Sequence, residues 1–260
     1  MHPMERLRYV AGAGPLEHEL LVQESAGSLA ALAGDPAALL LSCKRLLQRH
    51  PSSGPLWWLC ARMLCSDDPR REGRRCVREL TGDETPQHLE AELPEAGVVT
   101  VLGWPELGAS VLARRGDLRV LVVDAGGEGD ELASRLQLLD ADAVPVSDRG
   151  VSAAVLASDA VVLEAGALGA GGFVAVAGSR AAAAVARHAG VPVWVVAGVG
   201  RVVPAGAWAA LAGRLAGAEP WSADEELVPL ELADVLLRPA GRLALPGHVV
   251  PDFSEAPELL

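Results

Sequence analysis

AVVLEAGALGAGGFVAVAGSRAAAAVARHAGVPVWVVAGVGRVVP, running from Ala160 to Pro204, is the stretch on which the reading of the fold turns. Its opening run, Ala160 to Leu163, is apolar without alternation, the pattern of a parallel strand covered on both faces. Glu164 to Gly172 follows as a loop made mostly of Gly and Ala. The alanine-rich run from Ser179 to His188 holds no breaker. Gly178 and Ser179 stand where a helix begins, and Gly190 where it ends. A second apolar run, Val191 to Ala197, comes at once after it. Strand, Gly-rich turn, helix and strand form a right-handed crossover, and sheets built from such units hold ligands beyond the carboxyl ends of their strands. The candidate site segments are therefore Glu164 to Gly172, Gly178 to Arg180 and the loop after Ala197.

Working outward, the alternation continues upstream. Val98 to Leu102, Arg119 to Val123 and Ala143 to Val146 read as strands, with helices predicted over Glu106 to Ala113, Glu131 to Asp140 and Ser152 to Ala157. Downstream, Ala205 to Leu215 and Pro229 to Leu237 read as helices on either side of an acidic loop, Asp224 to Glu226. The tail from Gly241, with Pro246, Pro251 and Pro257, reads as irregular. Residues 91–260 thus predict an α/β, Rossmann-like parallel sheet covered by helices on both faces. Residues 1–90 differ. Leu16 to Ala33, Ala37 to Gln48, Leu56 to Cys65 and Arg70 to Leu80 carry helical patterns, which predicts a small N-terminal helical bundle after a loose arm over residues 1–15. The boundary is placed between Thr81 and Glu95, where Gly82, Pro86 and Pro94 interrupt any pattern.

Composition sets outer limits. The 260 residues carry a net charge of −12, unevenly spread: residues 1–90 hold 11 Lys/Arg and 12 Asp/Glu, residues 91–260 hold 11 and 22. A sheet domain that acidic repels phosphate backbones, so no nucleic-acid partner is expected. No run reaches the 18 or so apolar residues of a membrane span, and the start, Met1-His2-Pro3-Met4, has no apolar core of a signal peptide, so a cytoplasmic location is expected. The four cysteines, Cys43, Cys60, Cys65 and Cys76, lack regular spacing. Cys60 and Cys65 are about 140° apart around a helix and do not converge, so buried, reduced thiols are expected and no metal site.

Asp159 to Pro204 resembles the characteristic tract of the family that joins the alpha, beta and delta subunits of translation initiation factor 2B to methylthioribose-1-phosphate and ribose-1,5-bisphosphate isomerases. That tract reads as a short apolar strand, Gly-Ala-Asp, a loop, Asn-Lys-x-Gly-Thr, an alanine-rich helix, then Gly-Val-Pro and an apolar strand. This chain has the strand, Gly178-Ser179, the helix and Gly190-Val191-Pro192 in the same order. Arg49-His50-Pro51-Ser52 resembles the family's Arg-Pro-Thr segment, and Val228-Pro229-Leu230-Glu231-Leu232 its Thr-Pro-Pro-Glu-Leu, so the likeness spans roughly residues 40 to 240. The departures fall on the chemistry. The isomerases carry a Cys after the first strand of the sheet domain and the Asp of Gly-Ala-Asp as acid and base. Here the first strand runs into Gly103-Trp104, Gly-Ala-Asp reads Glu164-Ala165-Gly166, and Asn-Lys reads Ala175-Val176. Every cysteine and the single lysine, Lys44, lies before residue 91.

The resemblance implies a pocket in which Gly178, Ser179, Arg180 and Gly166, with Arg49 and His50 from the helical part, hold a phosphorylated small molecule, and it implies a homodimer. His50 stands where the family places a phosphate-holding arginine. Free N–H groups and the helix dipole also favour an anion at Gly178 to Arg180, although N-capping alone explains Ser179. Gly126-Gly127-Glu128-Gly129 follows a strand, yet the third glycine of a dinucleotide fingerprint falls on Leu132, so it reads as a plain turn and no cofactor is expected. Two functions follow. The first is a non-catalytic protein like the initiation-factor subunits, which binds a sugar phosphate or nucleotide in regulation or assembly; the missing Cys, Asp and Lys favour it. The second is a divergent aldose–ketose isomerase with Glu164 as acid/base and Asp148 or Asp124 as partner.

Overall fold

The computed structural model describes residues 18–215 and 219–260. The loose arm expected over residues 1–15 lies outside them. Five helices come first: α1 (His18–Ala30), α2 (Pro36–Arg49), α3 (Gly54–Leu64), α4 (Pro69–Thr81) and α5 (Thr85–Glu92). Two starts follow one rule. Asp35 Oδ1 accepts from the Ala38 amide at 3.0 Å, and Asp68 Oδ1 from the Arg71 amide at 3.0 Å, each with proline next in the chain. A short acidic side chain satisfies an orphan amide, and proline brings the φ a helix needs.

The same chemistry corrects the reading of the 81–95 segment as patternless. Pro86 sits in the first turn of α5, where its missing N–H costs nothing, and Asp83 Oδ1 accepts from the Thr85 amide at 2.8 Å. Leu89 and Leu93 are then buried against the sheet.

The sheet is built from β1 (Gly97–Leu102), α6 (Glu106–Leu112), β2 (Leu118–Val123), α7 (Gly129–Leu138), β3 (Asp142–Val146), α8 (Val151–Leu156), β4 (Ala160–Glu164), a hairpin of β5 (Ala167–Gly169) and β6 (Gly172–Val176), α9 (Ser179–Ala189), β7 (Val193–Val196), α10 (Ala205–Leu215), β8 (Glu225–Pro229), β9 (Val235–Arg238) and β10 (Gly241–Ala244). Its order is β3-β2-β1-β4-β7-β9-β10. All neighbours are parallel except the β9–β10 pair. Six parallel strands in this arrangement are the doubly wound Rossmann order, and it reverses direction between β1 and β4.

The non-alternating strands are explained by coverage on both sides. Val161 and Leu163 join Val193, Val195, α8 and α9 on one face. Ala160 and Val162 join Val196, α5, α6 and α7 on the other. The expected crossover from β4 through α9 to β7 is present, with Val161 opposite Val193.

Three expectations fail here. The Glu164 to Gly172 loop is in part the β5–β6 hairpin, which pairs with β8 in a second, antiparallel sheet. Its glycines disguise it: a Cβ on Gly169 collides with the Trp208 ring, so the strand is glycine for closeness and not for flexibility. Pro229 to Leu237 is not a helix. β8 ends at Pro229, and β9 is the sixth parallel strand, with Val235 and Leu237 on one face and Leu236 on the other. Asp234 fixes that strand, its Oδ2 accepting from the Val193 amide at 2.9 Å. The tail expected to be irregular contributes β10, and beyond it Phe253, Ala256 and Leu259 pack against the helices.

The core of α1 to α4 is continuous with Val174 of β6, Val203, Ala207 and Leu211 of α10, and this tail. The helices are thereby held over the carboxyl edge of the sheet, and a cleft opens between the two.

Candidate functional site

The reversal between β1 and β4 leaves a crevice beyond their carboxyl ends, and the charged residues of the chain's centre meet there. β4 ends in Glu164. The first residue of α6, just after β1, is Glu106. The loop after β7 supplies Arg201, buried with 3 % of its surface exposed. Arg201 Nη1 lies 3.0 Å from Glu164 Oε1 and donates to the Ala165 carbonyl at 2.6 Å, while Nη2 lies 3.4 Å from Glu106 Oε2. The second Glu164 oxygen accepts from the Leu107 and Gly108 amides at 2.9 and 3.3 Å, at the start of α6. Glu106 Oε1 is held in turn by the His18 amide, at 2.8 Å, and by His18 Nδ1, at 3.0 Å. One guanidinium thus ties the ends of two strands together, and a histidine at the start of α1 ties the helices to both.

The two carboxyls are pushed in opposite directions. Burial raises Glu164 above its ordinary range, against the pull of Arg201. Burial also works against Glu106, but the His18 ring and Arg201 outweigh it and bring that group to about 2 from 4.5. The sign of the consequence is fixed. A depressed carboxyl stabilises the fold fully above its unfolded pKa and loses that contribution as pH falls toward the folded value. Urea unfolding between pH 7 and pH 2.5 is expected to show about 3 kcal/mol of acid-labile stability in the native protein, absent from Glu106→Gln. Glu164 shifts the other way, so its ionisation penalty is relieved on acidification and does not produce that loss.

The cleft has a volume of about 860 Å³. Its helical wall presents His18, Arg49, His50 and Ser52. Its sheet wall presents Glu106, Glu128, Glu131, Arg135, Glu164, Gly166, Ser179, Arg201, Asp224 and Glu225. Arg135 lies over the Trp104 ring, 5.9 Å from its centre.

Of the residues singled out from sequence, Arg49, His50, Glu164, Gly166 and Ser179 border the cleft. Gly178 and Arg180 do not. Arg180 is exposed, and its amide donates to Glu226 Oε1 at 2.9 Å, so a carboxylate of the chain itself sits at the α9 N-terminus. Asp124 and Asp148 do not reach Glu164. β2 and β3 are two and three strands away from β4, roughly 10 and 14 Å at the usual spacing. Asp124 instead caps α7 through the Gly129 amide, at 3.0 Å, and Asp148 accepts from the amide of Arg149. Arg201, the cation that Glu164 does have, and Glu106, which shares it, were not singled out. Glu106 reads as an ordinary helix start, and only the strand order reveals that β1 abuts β4. Arg201 lies in the loop after Ala197, a segment that the crossover did mark.

Among the described residues no group of three or more His, Cys, Asp or Glu side chains is placed to hold a metal ion. Cys43, Cys60 and Cys76 are buried within the helices, and Cys65 is exposed outside the cleft. No described helix is long and apolar enough to cross a membrane.

The same architecture recurs in solved structures. Translation initiation factor eIF-2B from Pyrococcus horikoshii OT3 superposes with a TM-score of 0.78 at 13% identity, over 94% of this chain and 97% of that one. This chain has the initiation factor 2B fold. A chain of the tetrameric eIF2B-beta2-delta2 complex from C. thermophilum matches that fold at TM-score 0.73 and 15% identity, covering 93% and 90%. 5-Methylthioribose 1-phosphate isomerase from Pyrococcus horikoshii OT3 matches at 0.63 and 14%, covering 94% and 85%. No protein-family model and no curated protein matches the sequence. The initiation factor 2B fold therefore spans both proteins that convert a sugar phosphate and proteins named for translation, and its site alone can separate them.

Proposed function

We propose that this is a non-catalytic, initiation-factor-2B-like protein that binds a phosphorylated small molecule, a sugar phosphate or nucleotide, in the cleft and acts in regulation or assembly. Residues 1–90 and 91–260 are the two units that supply its walls. The observation that carries the reading is the state of Glu164. It is the carboxylate two residues before Gly166, which stands where the isomerases carry their acid/base Asp, and both of its oxygens are taken, one by Arg201 and the other by two amides. A base must reach the proton it moves, and this one is a strut. No thiol borders the cleft. Arg49 supplies a cation on the helical wall for a phosphate, with His50 beside it. A homodimer in the cytoplasm completes the proposal, with no nucleic-acid or membrane partner and no cofactor; the free cysteines suit a reducing compartment.

One observation favours the isomerase reading: carboxyls driven apart in pKa around a shared cation are how acid and base roles are commonly divided. The two readings separate in one experiment. Ribose 5-phosphate, AMP and UDP-glucose are screened by thermal shift, and the binders are incubated with the protein and followed for aldose–ketose interconversion. A ligand at about 100 times its Kd adds roughly 2.7 kcal/mol, a rise of several degrees in Tm, and no interconversion is expected. Turnover that disappears in Glu164→Gln overturns the non-catalytic reading, and a flat panel overturns neutral sugar phosphates, nucleoside monophosphates and nucleotide sugars as the ligand.

A further inference from the structure

The cleft has two walls of opposite character, and the balance of charge between them identifies its occupant more narrowly. Arg201 and His18 are engaged by Glu164 and Glu106, and Arg135 lies over Trp104. Four carboxylates on the sheet wall, Glu128, Glu131, Asp224 and Glu225, have no ion-pair or hydrogen-bond partner for their side chains among the described residues, and all four border the cleft. They come from the turn after β2, the first turn of α7 and the start of β8; Glu128, Glu131 and Asp224 form one group, while Glu225 Oε1 is turned toward Gly166, 3.9 Å from where a Cβ would stand. Burial first, and then the charges of Glu106, Glu131 and Asp224, raise the Glu128 carboxyl above the ordinary range.

A second observation is independent of that charge. Ser179, at the first turn of α9, is buried to 1 % exposure on the same wall, and its Oγ has no hydrogen-bond partner. A buried hydroxyl left unpaired is costly, and such a group beside a cleft marks where a polar ligand atom is missing. That atom is not a phosphate oxygen, since Glu226 already occupies the neighbouring amide at this helix end.

We propose that the ligand carries an amino group as well as a phosphate: an amino sugar phosphate, its phosphate against Arg49 and His50, its ammonium among Glu128, Glu131 and Asp224, and a hydroxyl at Ser179. This rests on the phosphate reading of the helical wall and adds the opposite pole. A neutral sugar hydroxyl satisfies a carboxylate oxygen but leaves three like charges facing one another. An ammonium donates and also neutralises that repulsion, which a hydroxyl does not. An inorganic or polyphosphate anion is repelled by this wall, so a monophosphate with a cationic end fits it best.

The test compares glucosamine 6-phosphate with glucose 6-phosphate, which differ only in the amino group, and with glucosamine, which lacks the phosphate, by isothermal titration calorimetry. Glucosamine 6-phosphate is expected to bind at least about tenfold more tightly than either. Its preference over glucose 6-phosphate should shrink at high salt and vanish in the Glu128→Gln/Asp224→Asn double variant. Equal binding of the two phosphates overturns the amino-group inference and leaves the phosphate reading standing. Glucosamine binding as tightly as its 6-phosphate overturns the phosphate reading, and no binding by any of the three overturns both.

Discussion

Arg201→Met is expected to destabilise the protein by about 3–5 kcal/mol, the largest loss of any single change in the cleft. The side chain is almost completely buried, and it is the only guanidinium in contact with Glu164 among the described residues. Methionine fills similar volume but leaves Glu164, whose side chain is 10% exposed, as a buried charge held by two amides, and it takes one of the cations from Glu106. Breaking a buried pair by removing one partner is costly because the other stays behind uncompensated, whereas replacing both is often nearly neutral. The double variant Arg201→Met/Glu164→Gln should therefore recover a substantial part of the loss, since an amide still accepts from Leu107 and Gly108 without carrying charge. Lysine is a poor rescue, because its point charge cannot span Glu164, Glu106 and the Ala165 carbonyl at once. Urea midpoints of the three variants decide the matter. A loss below about 1 kcal/mol for Arg201→Met means that the cluster behaves as a surface pair and that the strut reading of Glu164 is wrong.

What the sequence made legible, and what it hid, divides along one line. Ala160 to Leu163 and the run from Ser179 to His188 announce themselves because burial on both faces and helix termini are local properties, written within a few residues. The hairpin at Ala167 to Val176 was hidden because its glycines answer to distant residues, Gly169 to Trp208 of α10 some forty positions away and Gly172 to the backbone of Val228 in β8. Val235 to Leu237 was hidden by leucines at helical spacing, and its strand state is decided by pairing with β7. The site repeats the pattern. Glu164 stood out by its place at a strand end, but Asp124 and Asp148, which sit in equivalent places, were separated from it by strand order. Glu106 and Arg201 became visible as partners only when that order was known. Nothing at the level of periodicity states which strand neighbours which, so residues that meet through sheet order are those a single chain conceals.

Trp58→Ala is expected to cost about 3–5 kcal/mol, and its consequences should reach the cleft. Trp58 is 1 % exposed in the core of α3, with the Arg62 guanidinium 5.0 Å from its ring centre. It also carries the loop after β7: Gly200, one residue before Arg201, approaches so closely that a Cβ there would lie 2.9 Å from both Cβ and Cγ of the indole. Gly200 has φ of 76°, a conformation that side chains rarely adopt, so Gly200→Ala suffers both from the ring and from its own backbone, the latter by about 1–2 kcal/mol. These two faults can be separated. In the Trp58→Ala background the contacts with the ring are gone while the Cβ that alanine keeps stays 2.9 Å away, so the steric fault is relieved in part, and the double variant should be less damaged than the sum of the singles by 0.5 kcal/mol or more, the scale on which touching residues couple. Simple additivity in urea unfolding shows that the loop does not rest on Trp58. Ligand affinity reports the same coupling from the other side: if Trp58 seats the loop that positions Arg201, and through it Glu164 and Glu106, then Trp58→Ala weakens binding in the cleft without removing any group that lines it.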